Sequence, residues 1–272
     1  MTQTLIIEAG RTRGQYWRDI WKFRELFYFL AWRDFLIRYK QTAVGIAWAL
    51  IRPFLMMLAL TMVGKVGKLP TGGAPYGLFF FCGLLPWQFF STAMAESGNS
   101  LVTNANLVSK IYFPRLVVPA SSVIVSFVDF LIAAVFLVVL MFFYHYMPPR
   151  EIVFIPFFVF LVFVATLGAG FWIAALTVEY RDFRLIVPFI VQFGIFVSPV
   201  FMMTSHVPER WRLLYSINPL VGIIDGFRLC ILGGGNTVFL PELLLSVFVT
   251  VILALSGFWY FRKAERAFAD II

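Results

Sequence analysis

The residues that could carry covalent chemistry are few in this sequence and poorly placed for it. There are two histidines, His145 and His206, and two cysteines, Cys82 and Cys230. Two histidines on the same outer side make no metal cluster and no nucleophile-and-base pair, and the cysteines have neither a disulfide framework nor metal-ligand spacing. The nearest approach to a phosphate-binding loop, Gly64 to Lys68, has the wrong spacing and no hydroxyl residue after Lys68. The carboxylates Glu179 and Asp182 sit three apart beside Arg181 and Arg184, a pattern that predicts a salt-bridged loop and not the acid cluster a sugar-transferring enzyme needs. The expectation is a chain that is no enzyme and has no catalytic, cofactor or metal site of its own.

Two other kinds of residue stand out. Asn104 to Arg115, NANLVSKIYFPR, is a polar-to-basic interruption between long apolar runs, and in so apolar a chain the stretch that faces water must carry the communication. Arg52 and Asp129 are ionisable residues inside apolar runs, where an unpaired charge costs several kcal/mol and faces protein or water. Their depths come to roughly 12 and 16 Å at 1.5 Å per residue. Two readings are open: the residues pair, or Arg52 snorkels to the headgroups while Asp129 bonds to a neighbouring helix.

The elements that must position these residues follow from composition. The 272 residues are 61% hydrophobic and 13% charged, against about 45–50% and about 25% in ordinary globular chains. Apolar runs of about 20 residues without period-two alternation mean membrane-spanning helices and not a barrel. The expected fold class is all-α and polytopic. Six spans are predicted: Val44 to Val66, Tyr76 to Ala95, Val118 to Tyr144, Ile152 to Val178, Leu185 to Met203, and Leu243 to Phe261. Before them lies a tail and an interfacial helix (1–43), and after them a tail (262–272). In Trp17 to Lys40 the apolar Trp17, Ile20, Trp21, Phe27, Tyr28, Ala31 and Phe35 follow helical spacing, with Arg18, Lys22 and Glu25 on another face. Such a helix lies on a membrane, its cations on anionic headgroups; an extra packed helix is the alternative. The first 16 residues contain no secretory signal, so targeting falls to the first span.

Counting Lys and Arg orients the chain. With both ends inside, sixteen of the 22 are cytoplasmic, Arg52 included, and six face outward: Lys65, Lys68, Arg150, Arg210, Arg212 and Arg228. The outward stretch Ser205 to Gly235 is too long for a hairpin and too apolar for a solvated loop. Pro208 opens one short helix, and Asn218-Pro219 supplies an N-cap and first-turn proline for a second that ends at Gly233-Gly234-Gly235. About 14 residues reach about 21 Å, short of a crossing. The pair either dips into the outer leaflet or lies on its surface. Ala165, Ala169, Gly170 and Ala174 permit close helix packing. Most of the 33 phenylalanines face lipid. A subset of aromatics lining a passage would let sugar rings slide past, and Trp48, Tyr76, Trp87, Phe89, Phe90 and Trp172 are the candidates.

Four stretches together give a resemblance that covers nearly the whole chain: RDFLIRYKQTAVGIAWALIRP at Arg33 to Pro53, NANLVSKIYFPR at Asn104 to Arg115, SPVFM at Ser198 to Met202, and INPLVGIIDGFR at Ile217 to Arg228. The chain resembles ABC-2 type permeases of the polysaccharide-export branch, the O-antigen and teichoic acid exporters, with capsule exporters as relatives. The resemblance implies a homodimeric channel in the bacterial inner membrane for a lipid-linked polysaccharide. Two copies of a separate ATP-binding subunit, which hold ATP and Mg, would sit beneath it. It implies that Asn104 to Arg115 is a coupling helix seated in the ATPase, with Asn106, Leu107, Lys110, Tyr112 and Phe113 in contact. It implies an outer gate formed by Pro208, Trp211, Tyr215, Asn218, Pro219, Asp225, Phe227 and Arg228. A drug or small-lipid exporter would share these features, and a passive channel only the spans. Membrane lipids, and not nucleic acid, are the expected partners of the basic residues.

Overall fold

Ten α-helices follow one another among the described residues of the computed structural model, and no strand interrupts them. Those residues are 18, 21–40, 45–233, 239–265 and 268. Trp17, Ile20, Val44, Gly234 and Gly235, named above, lie outside them. The first helix, α1 (Arg24–Lys40), packs along α5 (Val117–Phe143) through Leu30 and Tyr39 and turns Tyr28, Phe29, Trp32 and Ile37 outward, with Trp21 exposed just before it. Aromatics outward and Arg33, Asp34 and Arg38 paired inward suit an interfacial helix, and it is also firmly packed.

Five helices are long and apolar enough to cross a membrane: α2 (Trp48–Val66), α3 (Tyr76–Thr103), α5, α6 (Ile155–Glu179) and α10 (Leu240–Ala264). The short helix α4 (Ala105–Lys110) sits in the loop between α3 and α5. At the centre stands α3, packed by α2, α5, α6 and two later helices. Small residues allow this: at Gly98 a Cβ would come within 2.4 Å of Ile173 Cγ2 on α6. In lipid, helices associate by close packing and not by leaving water, so such contacts do the holding. The same device joins α6 to α10, where a Cβ on Gly257 would lie 2.3 Å from the Gly168 carbonyl oxygen. The expected packing residues Ala165 and Ala174 are fully buried, and Gly170 faces Ser97 of α3.

The fifth predicted span departs from expectation. Helix α7 (Phe183–Val197) has 15 residues, about 22 Å at 1.5 Å per residue, and ends before Ser198-Pro199. The residue before a proline is driven from helical to extended backbone, and Ser198 is extended at φ −107°, ψ 151°. Unwound chain follows through Met203, then α8 (Glu209–Tyr215) and α9 (Pro219–Leu232), bent by 108° to each other. The caps of α9 are those the sequence predicts. The Asn218 side chain accepts from Leu220 N–H at 3.0 Å, Pro219 takes the first turn, and Gly233 ends the helix at φ +58°. Leu220, Ile223, Ile224, Phe227 and Ile231 are all buried, so α9 dips into the helical body and does not lie on its surface.

Two apolar cores result. The larger fills the body of the helical bundle around Phe79, Phe80, Phe81, Phe89, Phe130 and Phe227; the smaller gathers Leu30, Leu101, Val108, Phe113, Phe171 and Phe261 at the end that carries the Asn104 to Arg115 loop. Cys82 and Cys230 are both buried free thiols.

Candidate functional site

The loop from Asn104 to Arg115 is clamped at both ends. Asn104 closes α3 with its side-chain amide on the Ser100 carbonyl (2.9 Å), and its oxygen accepts from Arg33 Nη2 of α1 at 2.7 Å. At the other end the Arg115 backbone N–H donates to Glu265 Oε1 at 2.7 Å, beyond α10. Between the clamps, Asn106, Lys110, Ile111 and Tyr112 are exposed, Leu107 is half-buried, and Val108 and Phe113 are inside. Phe113 is a correction. Expected at the contact face, it is 5% exposed in the smaller core, and Ile111 at 52% takes the outward place. The helix ends at Lys110 and Ile111 is extended (φ −119°, ψ 135°), so helical spacing no longer decides which side chains face out.

The expected ion pairs in Glu179 to Arg184 are also corrected. Among the described residues they do not form; Glu179 instead accepts from Tyr260 Oη at 2.7 Å. The carboxylate is held by α10, and the arginines are left to solvent.

The half-buried charges follow the second of the two readings, in which Asp129 bonds to a neighbouring helix and Arg52 stands apart. Asp129 of α5 accepts from Arg38 and from Tyr39, both on α1, and Arg38 also donates to Glu96 of α3. Ser126 donates to Glu96 at 2.7 Å. The Arg52–Asp129 pair is therefore overturned: Arg52 is exposed and makes no ion pair among the described residues, and Asp129 is bonded to a neighbouring helix. Burial alone pushes the Arg38 guanidinium down, but Glu96 and Asp129 together hold it above its usual value. Charge is thus fixed on α1 at the point where it meets α3 and α5. These residues and Arg52 line a cavity of about 430 Å³ between α1, α2, α3 and α5. Hydropathy alone does not single out Glu96, which follows the predicted end of the second span at Ala95, and charge counting treats Arg38 only as a surface cation.

A second charged group lies where α9 meets the segment after α7. Arg228 on α9, expected to face outward, is fully buried. Its guanidinium donates to the carbonyls of Pro199, Val200 (2.6 Å) and Met202 (3.0 Å), the unwound segment after α7. It also lies 3.9 Å from the Phe79 ring centroid and 4.0 Å from Asp225. Asn218 donates to Ser198 Oγ at 3.0 Å. Irregular backbone at membrane depth is tolerated only when protein satisfies its polar groups, and Arg228 does so here.

These arrangements can be set beside known proteins. The sequence matches the family described as ABC-2 type transporter over residues 25–232, which takes in α1 through α9. The chain belongs to the ABC-2 type transporter family. Two proteins of Klebsiella pneumoniae named O-antigen export system permease protein RfbA are 27% identical over 244 residues and 26% identical over 245. Each alignment covers 88% of this chain and 92% of the relative. A Myxococcus xanthus protein of the same name is 27% identical over 216 residues, covering 78% and 82%.

In this ABC-2 transporter chain the remaining expected residues separate by environment. Trp48 is 53% exposed at the mouth of the polar cavity. Trp87 and Phe89 border cavities but are buried within the protomer, and Phe90 is half-buried against Trp87. Tyr76 stacks on Phe80. Trp172 stacks on Tyr260 at 4.3 Å and donates to Ser256 at 3.0 Å, which makes it a strut between α6 and α10. On α8, Trp211 is exposed and Tyr215 half-buried, while Phe227 of α9 packs edge-on to Phe130. Pro208 and Pro219 start the two short helices. Thus SPVFM and INPLVGIIDGFR, 20 to 30 residues apart, meet through Asn218 and Arg228.

Proposed function

We propose that this chain is the membrane-spanning subunit of an ATP-driven exporter that moves a lipid-linked polysaccharide of the O-antigen kind out of the cytoplasm. Two copies form the passage in the inner membrane with both ends of each chain inside, and two copies of a separate subunit beneath them bind ATP and Mg. The observation that carries the reading is the clamped loop at Asn104 to Arg115, whose exposed Asn106, Lys110, Ile111 and Tyr112 offer a basic and apolar surface to a partner. A push on that surface has a continuous path inward. It runs from Asn104 to Arg33, along α1 to Arg38, and from there to Glu96 on α3 and Asp129 on α5. Closure of the ATP-binding subunits would thus tilt α1 and separate the helices it holds, while the pair α8 and α9, hinged at Ser216 to Asn218, acts as the outer gate. The cargo class is taken from the relatives named for O-antigen export.

Deletion of the gene tests the reading. The expected result is loss of surface polysaccharide with accumulation of the lipid-linked polymer inside the cell, restored by the native gene. Unchanged surface polysaccharide would overturn the cargo assignment.

A further inference from the structure

A push on the Asn104 to Arg115 loop enters the helices at Arg33, by one end of the loop, and the other end is bound just as closely. Arg115 stands immediately ahead of the N-cap of α5, Leu116, which makes no side-chain capping bond. Glu265 is the C-cap residue of α10. The Glu265 carboxylate accepts from the Arg115 N–H at 2.7 Å, and the Arg115 guanidinium donates from Nη1 to the Glu265 carbonyl at 2.5 Å. Each charge thereby sits where a helix end favours it, the anion at the start of α5 and the cation at the end of α10. Hydrogen bonds with an ionised partner are the short and strong ones.

Glu265 is itself anchored. Tyr260, near the end of α10, donates to Glu179 at the end of α6 at 2.7 Å and stacks on Trp172, and Gly257 lies against Gly168 of α6. Phe268, beyond Glu265, is 1% exposed and edge-on to Phe261 at 5.4 Å, in the same core as Val108 and Phe113 of the loop. The stretch ahead of Arg115 is of the other kind: Ile111 is extended, and α5 does not begin until Val117. Such non-helical chain would swing under a push at Lys110 or Tyr112 if its far end were loose, and the push would be spent there.

We propose that Arg115 and Glu265 are the fulcrum of the coupling loop: the pair pins one end of it to α10, so that movement of its exposed face is delivered to the other end, at Asn104 and Arg33. This rests on the coupling reading of the loop and deepens it. Glu265 is a positioning residue, acting through Arg115 and not by contact with the ATP-binding subunit. The device is complete in one protomer.

Two measurements test it. Hydrogen exchange on the purified full-length chain in detergent, with no ATP-binding subunit present, reads the clamp apart from the export reading. In Glu265→Ala the Arg115 amide should exchange about tenfold or more faster, as loss of a hydrogen bond to a charged group implies. In cells lacking the native gene, Glu265→Ala should lower surface polysaccharide per copy of the chain by about fivefold or more, within the usual range of coupling between sites. The ATP-binding subunit should still copurify in native amounts, because Lys110 and Tyr112 are untouched. Glu265→Gln, which keeps an accepting oxygen, should restore both the protection and the export. Should Glu265→Ala not accumulate, Glu265→Asp, too short to reach the amide from the same backbone, takes its place. Unchanged exchange at Arg115 overturns the proposal, and so does native export from a variant whose loop is loosened. Loss of the subunit from Glu265→Ala overturns it as well, since Glu265 then belongs to the contact face. If the native chain brings down no such subunit, it is the coupling reading that fails, and the fulcrum role falls with it even where the exchange rates differ.

Discussion

Replacing Arg228 by leucine should destabilise the protein more than any substitution of an exposed arginine. The guanidinium is fully buried and donates to three carbonyls, those of Pro199, Val200 and Met202, in a segment with no helix to satisfy them. A buried group left without its partner costs about 1–3 kcal/mol, so three carbonyls set a scale of about 3–9 kcal/mol. Two effects reduce it. The arginine no longer has to be desolvated, and the unwound segment can shift, so about 3–5 kcal/mol is the expected loss, as for breaking a buried charged network by removing one partner. At about 2–4 °C per kcal/mol for a chain of this size, the midpoint should fall by about 10 °C. The assay is thermal unfolding of the purified protein in one detergent, with Arg210→Leu, an exposed residue on α8, as control. That control should change stability by no more than about 0.5 kcal/mol. Adding Asp225→Asn to Arg228→Leu should recover part of the loss, because Asp225, 4.0 Å away, otherwise keeps a charge without its neighbour. If Arg228→Leu unfolds within a degree or two of the native protein, the unwound segment is not held by this side chain and the reasoning fails.

Other outcomes follow from the remaining contacts. Arg38→Gln should lower stability by on the order of 2 kcal/mol, between the values for exposed and buried pairs, because its side chain is 26% exposed and those of Glu96 and Asp129 are 33% and 23% exposed; Arg52→Gln in the same unfolding assay should leave stability nearly unchanged. Phe113→Ala should cost about 3–5 kcal/mol by opening the smaller core, while Tyr112→Ala next to it should leave the unfolding midpoint where it is. Gly257→Leu should prevent α6 and α10 from meeting, since even a Cβ there lies 2.3 Å from the Gly168 carbonyl oxygen; loss of the folded peak in size-exclusion chromatography is the readout.

What the sequence makes legible here is local. Hydropathy over about 20 residues finds the spans, and Asn218, Pro219 and Gly233 mark the ends of α9 because capping is decided within a few residues. The coupling loop is legible for the same reason, as a polar break between apolar runs. Partners are another matter. Asp129 had a nearby cation in depth, Arg52, yet its partner is Arg38, 91 residues away on a helix that folds back along α5. Depth along a helix says nothing about which face meets which neighbour. Phe113 and Ile111 exchanged places because the chain leaves helical geometry at Lys110. Counting charges assigns Arg228 a side but not its partners, because it is a rule about loops and says nothing of a helix that dips into the body and satisfies broken backbone. The shortening of the fifth span is readable in Ser198-Pro199, where the proline outweighs the hydropathy of the run.

If a separate ATP-binding subunit drives this chain through the Asn104 to Arg115 loop, changing the exposed face of that loop must release the subunit. The native protein and a variant carrying Lys110→Glu with Tyr112→Ala are purified side by side in mild detergent, and the copurifying proteins are identified by mass spectrometry. The account predicts a subunit with a phosphate-binding loop alongside the native protein, lost from a variant that accumulates and unfolds normally. Recovery of that subunit in equal amounts with both proteins, or with neither, would contradict it.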